Sequence, residues 1–264
     1  MNVLTPSSPR PSRTGRSIRA CLVGLLALLA QACTSDVEEL HVAVASNFTA
    51  PMKDIVKSFE RETGYRVRLS FGASGKFYAQ IRNGAPFQVF LSADQAKPKA
   101  LEREGWTAEG TRFTYALGAL ALWSRQPDRV DSRGQVLREG DFNKLALANP
   151  RLAPYGAAAV EVLQSLGLAE ATRPRWVQGE NIAQTYQFVH TGNADIGFVA
   201  LSQVLENGEL KGGSVWRVPS SHHSPIRQDA VLLKTGADSE AAKALLTFLQ
   251  SDTAERIIQG YGYH

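Results

Sequence analysis

The sequence predicts an α/β protein of two lobes, each a mostly parallel sheet flanked by helices, joined by two crossover segments. Three observations predict it. Beyond residue 40, a short apolar run, a polar turn and a helical pattern follow one another three times, which calls for parallel strands linked by right-handed crossovers. A second succession of the same kind begins at residue 144. Between them lies FTYALGALALW, residues 113–123, longer than one strand needs and interrupted by Gly118, as a chain passing between lobes would be.

The elements follow in order. HVAVAS at 41–46 is apolar and rich in β-branched residues, and it runs straight into Asn47-Phe48-Thr49. Ile55, Val56, Phe59 and the later Tyr65 fit the 3.6-residue period of an amphipathic helix, ended by Gly64. YRVRLSF at 65–71 alternates like a strand and leads into Gly72-Ala73-Ser74-Gly75. A helix is expected from Lys76 to Asn83, stopped by Gly84 and Pro86, and PFQVFLSAD at 86–94 gives a third strand. In the second lobe KLALANP (144–150) reads as a strand and GAAAVEVLQSLGL (156–168) as a helix. NIAQTYQFVHTG (181–192) reads as a further helix and DIGFVAL (195–201) as a buried strand. SPIRQDAVLLK (224–234) returns the chain to the first lobe, which the helical stretch 239–263 closes. The expected boundaries are 38–117 and 227–264 for the first lobe and 118–226 for the second.

Residues 1–32 have the order of a secretory leader. Arg10, Arg13, Arg16 and Arg19 precede an apolar run from Ala20 to Ala30, then Ala30-Gln31-Ala32 and Cys33. That run falls short of the ~20 apolar residues a membrane-spanning helix needs. Removing the leader takes four arginines and no acids, so the formal balance moves from 29 − 25 = +4 to 25 − 25 = 0. A neutral mature chain lacks the electrostatic footprint for nucleic acid. Of the two cysteines, Cys21 lies in the leader and Cys33 at its end, so disulfides, thiolate catalysis and cysteine-ligated zinc are excluded from the body of the protein. Cys33 itself fits either an acylated first residue or a free N-terminal thiol.

In open α/β sheets ligands sit beyond the carboxyl ends of strands, so Ser46-Asn47 and Ser74-Gly75 should converge on one crevice. Four segments carry a family likeness: AVASNFTAPM (43–52), FGASGKFYAQIRNGAPFQVFLSAD (71–94), ALANPRLAPYGAAAVEVLQSLG (146–167) and GENIAQTYQFVHTGNADIGFVALSQV (179–204). Together they resemble periplasmic molybdate-binding proteins, from about residue 40 to the C-terminus. The resemblance implies a type II periplasmic-binding fold that delivers molybdate or tungstate to the membrane permease of an ABC importer, works as a monomer and needs no cofactor. It implies ligand roles for Ser46, Asn47 and Ser74 in the first lobe, and for the Tyr155 phenol and Ile182 main-chain N–H in the second. Two positions depart from the pattern. Gln88 stands where many relatives have Asp, and Ala200 where some have a tyrosine, a role the resemblance passes to Tyr155.

These residue types suit an oxyanion. A tetrahedral dianion offers only acceptors, and hydroxyls, the asparagine amide and main-chain N–H groups are donors. Helix N-termini add partial positive charge, and hydrogen bonds to a charged partner are about twice as strong as neutral ones, so no lysine or arginine is required. Fixed neutral donors read size, which favours molybdate or tungstate over sulfate and leaves those two equal. Phosphate, sulfate, an organic anion or iron are the alternative cargoes. Without a nucleophile elbow, a Gly-x-x-x-x-Gly-Lys loop or an interior cysteine, an enzyme is not expected. His222-His223 lacks further ligands at metal-binding spacing and reads as a solvated loop, and Tyr261 and Tyr263 read as packing residues.

Overall fold

The computed structural model describes residues 1–2, 39–206 and 208–264. The arginines and apolar run of the leader, and Cys33, lie outside the described residues. Its strands are β1 (Glu39–Ala45), β2 (Arg66–Gly72), β3 (Val89–Leu91), β4 (Phe113–Gly118), β5 (Leu120–Ser124), β6 (Leu145–Ala148), β7 (Trp176–Gly179), β8 (Ile196–Ala200), β9 (Leu205–Glu206), β10 (Glu209–Leu210), β11 (Ser214–Arg217) and β12 (Ile226–Leu232). The longer helices are α1 (Thr49–Thr63), α2 (Ser74–Arg82), α3 (Ala96–Arg103), α4 (Pro154–Ser165), α5 (Ile182–His190), α6 (Glu240–Phe248) and α7 (Asp252–Gly260).

The strands form two five-stranded sheets, in the orders β2-β1-β3-β12-β4 and β7-β6-β8-β5-β11, with β9 and β10 as a small separate hairpin. In the first, β1 pairs in parallel with β2 and β3, and only β12 runs against its neighbours. The second repeats the plan: β6 pairs in parallel with β7 and β8, and β5 is the reversed strand. Both sheets are covered on two faces, which is why their central strands read as nearly unbroken apolar runs. Along β1, Leu40, Val42 and Val44 enter the core shared with Ile55 and Phe59 of α1, Leu245 of α6 and Ile258 of α7. Ala43 points the other way, into the core of Phe77 and Ile81 of α2 and Leu101 of α3. Each large side chain so buried contributes about 1.5–3 kcal/mol.

Helix α1 ends as its sequence requires. Gly64 takes the left-handed φ of 77° and returns its N–H to Glu60 O. Tyr65 therefore lies past the cap rather than in the helix with Phe59, against whose ring it stacks at 6.1 Å. Ser74 and Gly75, expected in a turn, already belong to α2. Strand β11, whose four residues carry little periodic signal, is an addition to the sequence reading.

The connection between the sheets is a single residue: β4 ends at Gly118 in the first sheet and β5 begins at Leu120 in the second. The chain returns between β11 and β12. Strand β1 sits between β2 and β3, and β6 between β7 and β8, so successive crossovers leave each in opposite directions and open a crevice beyond its carboxyl end. Those two crevices face each other.

Candidate functional site

The loops that leave β1, β2, β6 and β7 meet in one small cavity, lined by Ser46, Asn47, Ser74, Tyr155, Asn181 and Ile182 among others. All five residues singled out from the sequence come together there. No lysine, arginine, aspartate or glutamate lines it. A much larger groove runs past Asp94, Lys97, Glu161 and Arg227; its two cations are balanced by two carboxylates, and Lys97 is already paired with Asp94.

Ser46 opens a one-turn 3-10 helix directly after β1, and Ser74 is the first residue of α2. A serine in such a place commonly caps the helix with its hydroxyl. Neither does so: the capping positions are Ala45 and Ala73, without side-chain bonds. Ser74 Oγ instead accepts the Ala93 N–H at 2.9 Å, so its own proton remains to be donated. Ser46 Oγ makes two long contacts across the cleft, to Asn181 Oδ1 at 3.3 Å and from Ala183 N–H at 3.4 Å. Both are long enough to yield to a stronger acceptor.

Asn47 differs from the sequence expectation in which of its donors remains available. Its amide nitrogen donates to Gln228 Oε1 at 2.7 Å and to Tyr263 Oη at 3.0 Å, so both protons are engaged inside the protein. Its main-chain carbonyl accepts from Ser202 Oγ at 3.0 Å and Tyr263 Oη at 2.9 Å. What Asn47 can offer a ligand is its main-chain N–H, at the start of a helical turn where such groups have no intrahelical acceptor. Ile182 is in the same position as the first residue of α5, whose cap, Asn181, accepts from Gln184 N–H at 3.0 Å. The pattern Asn181-x-x-Gln184 is a sequence signal for that cap. The helix dipoles of both turns place partial positive charge on the cavity.

Tyr155, the second residue of α4, is 1% exposed, and its phenol oxygen receives Gln228 Nε2 at 3.2 Å. Gly118 makes this approach possible: a Cβ there would lie 2.2 Å from Tyr155 Oη and 2.5 Å from Gln228 Nε2. Burial, the main cause in each case, pushes the phenols of Tyr155 and Tyr115 well above their ordinary range and raises that of Tyr263. They remain donors at any physiological pH. The sign of the linkage follows. Above about pH 10, where an unfolded tyrosine ionises, the unfolded chain releases protons that the folded one keeps, so stability falls as pH rises through that range. Of the seven tyrosines, Tyr115, Tyr155 and Tyr263 are expected to ionise only as the fold is lost, which parallel ultraviolet and circular-dichroism titrations would show. Complete ionisation in an intact fold would contradict it.

The cleft is closed in this structure. Besides the Ser46 contacts, Gly75 N–H donates to Leu152 O at 2.9 Å, and Lys76 Nζ reaches Glu180 Oε2 at 2.7 Å. Among the described residues no cluster of His, Cys, Asp or Glu could hold a metal ion, and no helix is long and apolar enough to cross a membrane. His222 is half-buried beside Trp216 and bonded to Ser165, and Tyr263 packs against Phe48.

Two sheets joined by two chain crossings, with a small cavity free of charged side chains where their strand ends meet, have the architecture of a solute-binding protein. The chain belongs to the bacterial extracellular solute-binding protein family, whose model matches residues 40–264. It is 56% identical to the molybdate-binding protein ModA of Azotobacter vinelandii over 94% of this chain and 96% of that one. With ModA of Rhodobacter capsulatus it shares 50% over 97% of each. The solved periplasmic molybdate-binding protein of A. vinelandii superposes with a TM-score of 0.83 at 38% identity, covering 85% of this chain and 98% of that one.

Proposed function

We propose that this protein captures molybdate or tungstate in the periplasm as a monomer and presents it to the membrane permease of an ABC importer. The observation that carries the reading is the cavity itself: closed, free of charged side chains, and furnished with donors. Relatives at 50% identity and above bear the name of molybdate-binding proteins. Ser46 and Ser74 give hydroxyl protons, Tyr155 its phenol proton, and Asn47 and Ile182 their main-chain N–H groups. Residues 39–117 with 227–264 close against 118–226 about Ala119 and the segment between β11 and β12, the hinge motion of two-lobed binders. Fixed neutral donors select by size, and sulfate is the smaller dianion.

A series of thermal unfolding measurements tests the assignment. Molybdate at 100 times its Kd is expected to stabilise the protein by about 2.7 kcal/mol, tungstate similarly, and sulfate or phosphate at equal concentration hardly at all. A shift with sulfate or phosphate and none with molybdate would overturn it. We propose further that residues 1–32 are removed on export; the intact mass of the exported protein shows whether Cys33 then carries a lipid.

A further inference from the structure

Behind the cavity lies a buried polar network that neither the sequence motifs nor the ligand contacts explain. Its centre is Gln228, 0% exposed on the reversed strand β12. The pairing of β12 with β4 is irregular at this point: Gln228 faces Ala116 and Asp229 faces Thr114, which leaves Tyr115 as the extra residue of a bulge. Bulges re-aim side chains and recur beside functional sites. This one sits on both strands that adjoin the lobe crossings.

Asn47 sets the direction of the protons in this network. Its Nδ2, which can only donate, gives to Gln228 Oε1 at 2.7 Å, and Tyr115 Oη lies 3.0 Å from the same oxygen, its one proton shared with the main-chain carbonyl of Ser92 at 3.2 Å. With its oxygen held there, the Gln228 amide must present its nitrogen on the other side, where Nε2 donates to Tyr155 Oη at 3.2 Å. The Tyr155 oxygen is thereby an acceptor toward Gln228, and its proton has to leave in another direction. A bound oxyanion is a strong acceptor for it. The reversed amide would put an oxygen against the phenol and take the proton away from the cavity.

We propose that Gln228 is a positioning residue for oxyanion binding, its amide fixed by Asn47 and Tyr115 so that the Tyr155 phenol must donate into the cavity. This rests on the reading of Tyr155 as a ligand donor. It also ties the site to the hinge, because Gln228 and Tyr115 belong to the strands beside the two lobe crossings and Tyr155 to the opposite lobe. The network therefore comes into register only when the cleft shuts.

A four-member cycle tests it: the native protein, Q228M, Y155F and the double variant, each titrated calorimetrically with molybdate and each unfolded thermally without ligand. The expected result is a rise in Kd of roughly 2- to 13-fold for Q228M, the range of one hydrogen bond, and no further rise when Q228M is added to Y155F. A merely structural role would lower the unfolding midpoint and weaken binding equally in both backgrounds; that additive result, or an unchanged Kd in Q228M, overturns the proposal. If Q228M does not fold, Q228E enters the same cycle, since its carboxylate is an acceptor toward the phenol as well as toward Asn47. Coupling to Y155F is then expected, and its absence again counts against the proposal. Failure of the oxyanion reading looks different: the native protein itself would bind no molybdate.

Discussion

Replacing Ser74 by alanine is expected to weaken oxyanion binding by about 1.5–3 kcal/mol, a rise in Kd of roughly 10- to 150-fold. Ser74 is 1% exposed and its hydroxyl is already oriented, because the oxygen accepts the Ala93 N–H and only the proton is left to give. A donor fixed before the ligand arrives loses little freedom on binding, which is what makes its removal costly. The same substitution leaves the buried Ala93 N–H without its acceptor, at about 1–3 kcal/mol of fold stability. The two effects separate experimentally. Chemical denaturation without ligand reads the second, and calorimetry at a temperature where the variant is fully folded reads the first. An unchanged Kd would remove Ser74 from the site whatever happened to stability.

Much of this architecture could be read from local patterns. Strand β1 is apolar at every position from Val42 to Ala45 because both faces of the sheet are covered, and Gly64 marks the end of α1 because only a left-handed residue closes that turn. Ser46 and Ser74 stood out because strand ends precede helices there. What local patterns could not carry are the partners. Asn47 meets Gln228 across 181 residues and Tyr263 across 216, so nothing near Asn47 shows that its side-chain amide is engaged inward. The bulge that aims Tyr115 depends on register with a strand more than a hundred residues away. Tyr263, read as a packing residue, does pack, and it is a network member as well. A short GYGY tail gives no hint of that second role.

The second large effect is expected at a residue that offers the ligand no side chain at all. Gly75 donates its N–H to Leu152 O across the cleft, and a Cβ built on Gly75 would lie 3.0 Å from both the Cα and the O of Leu152. Backbone atoms on both sides cannot swing aside as a side chain could. Valine at this position therefore has to hold the two loops apart, and the penalty falls on the closed state alone, since in an open cleft the added atoms face solvent. Overpacking of this kind costs about 1–3 kcal/mol. Because binding draws on the closed population, the whole penalty appears in the apparent affinity, a loss of roughly 5- to 150-fold for Gly75→Val. The exposed Lys76–Glu180 pair one residue on cannot compensate, since surface ion pairs add little. The discriminating measurement pairs molybdate affinity with the unfolding midpoint of the empty protein. Affinity should fall while the midpoint holds, and small-angle scattering with saturating molybdate should show a larger radius than the native complex. A variant that binds as tightly as the native protein would mean that the Gly75–Leu152 contact is incidental to closure.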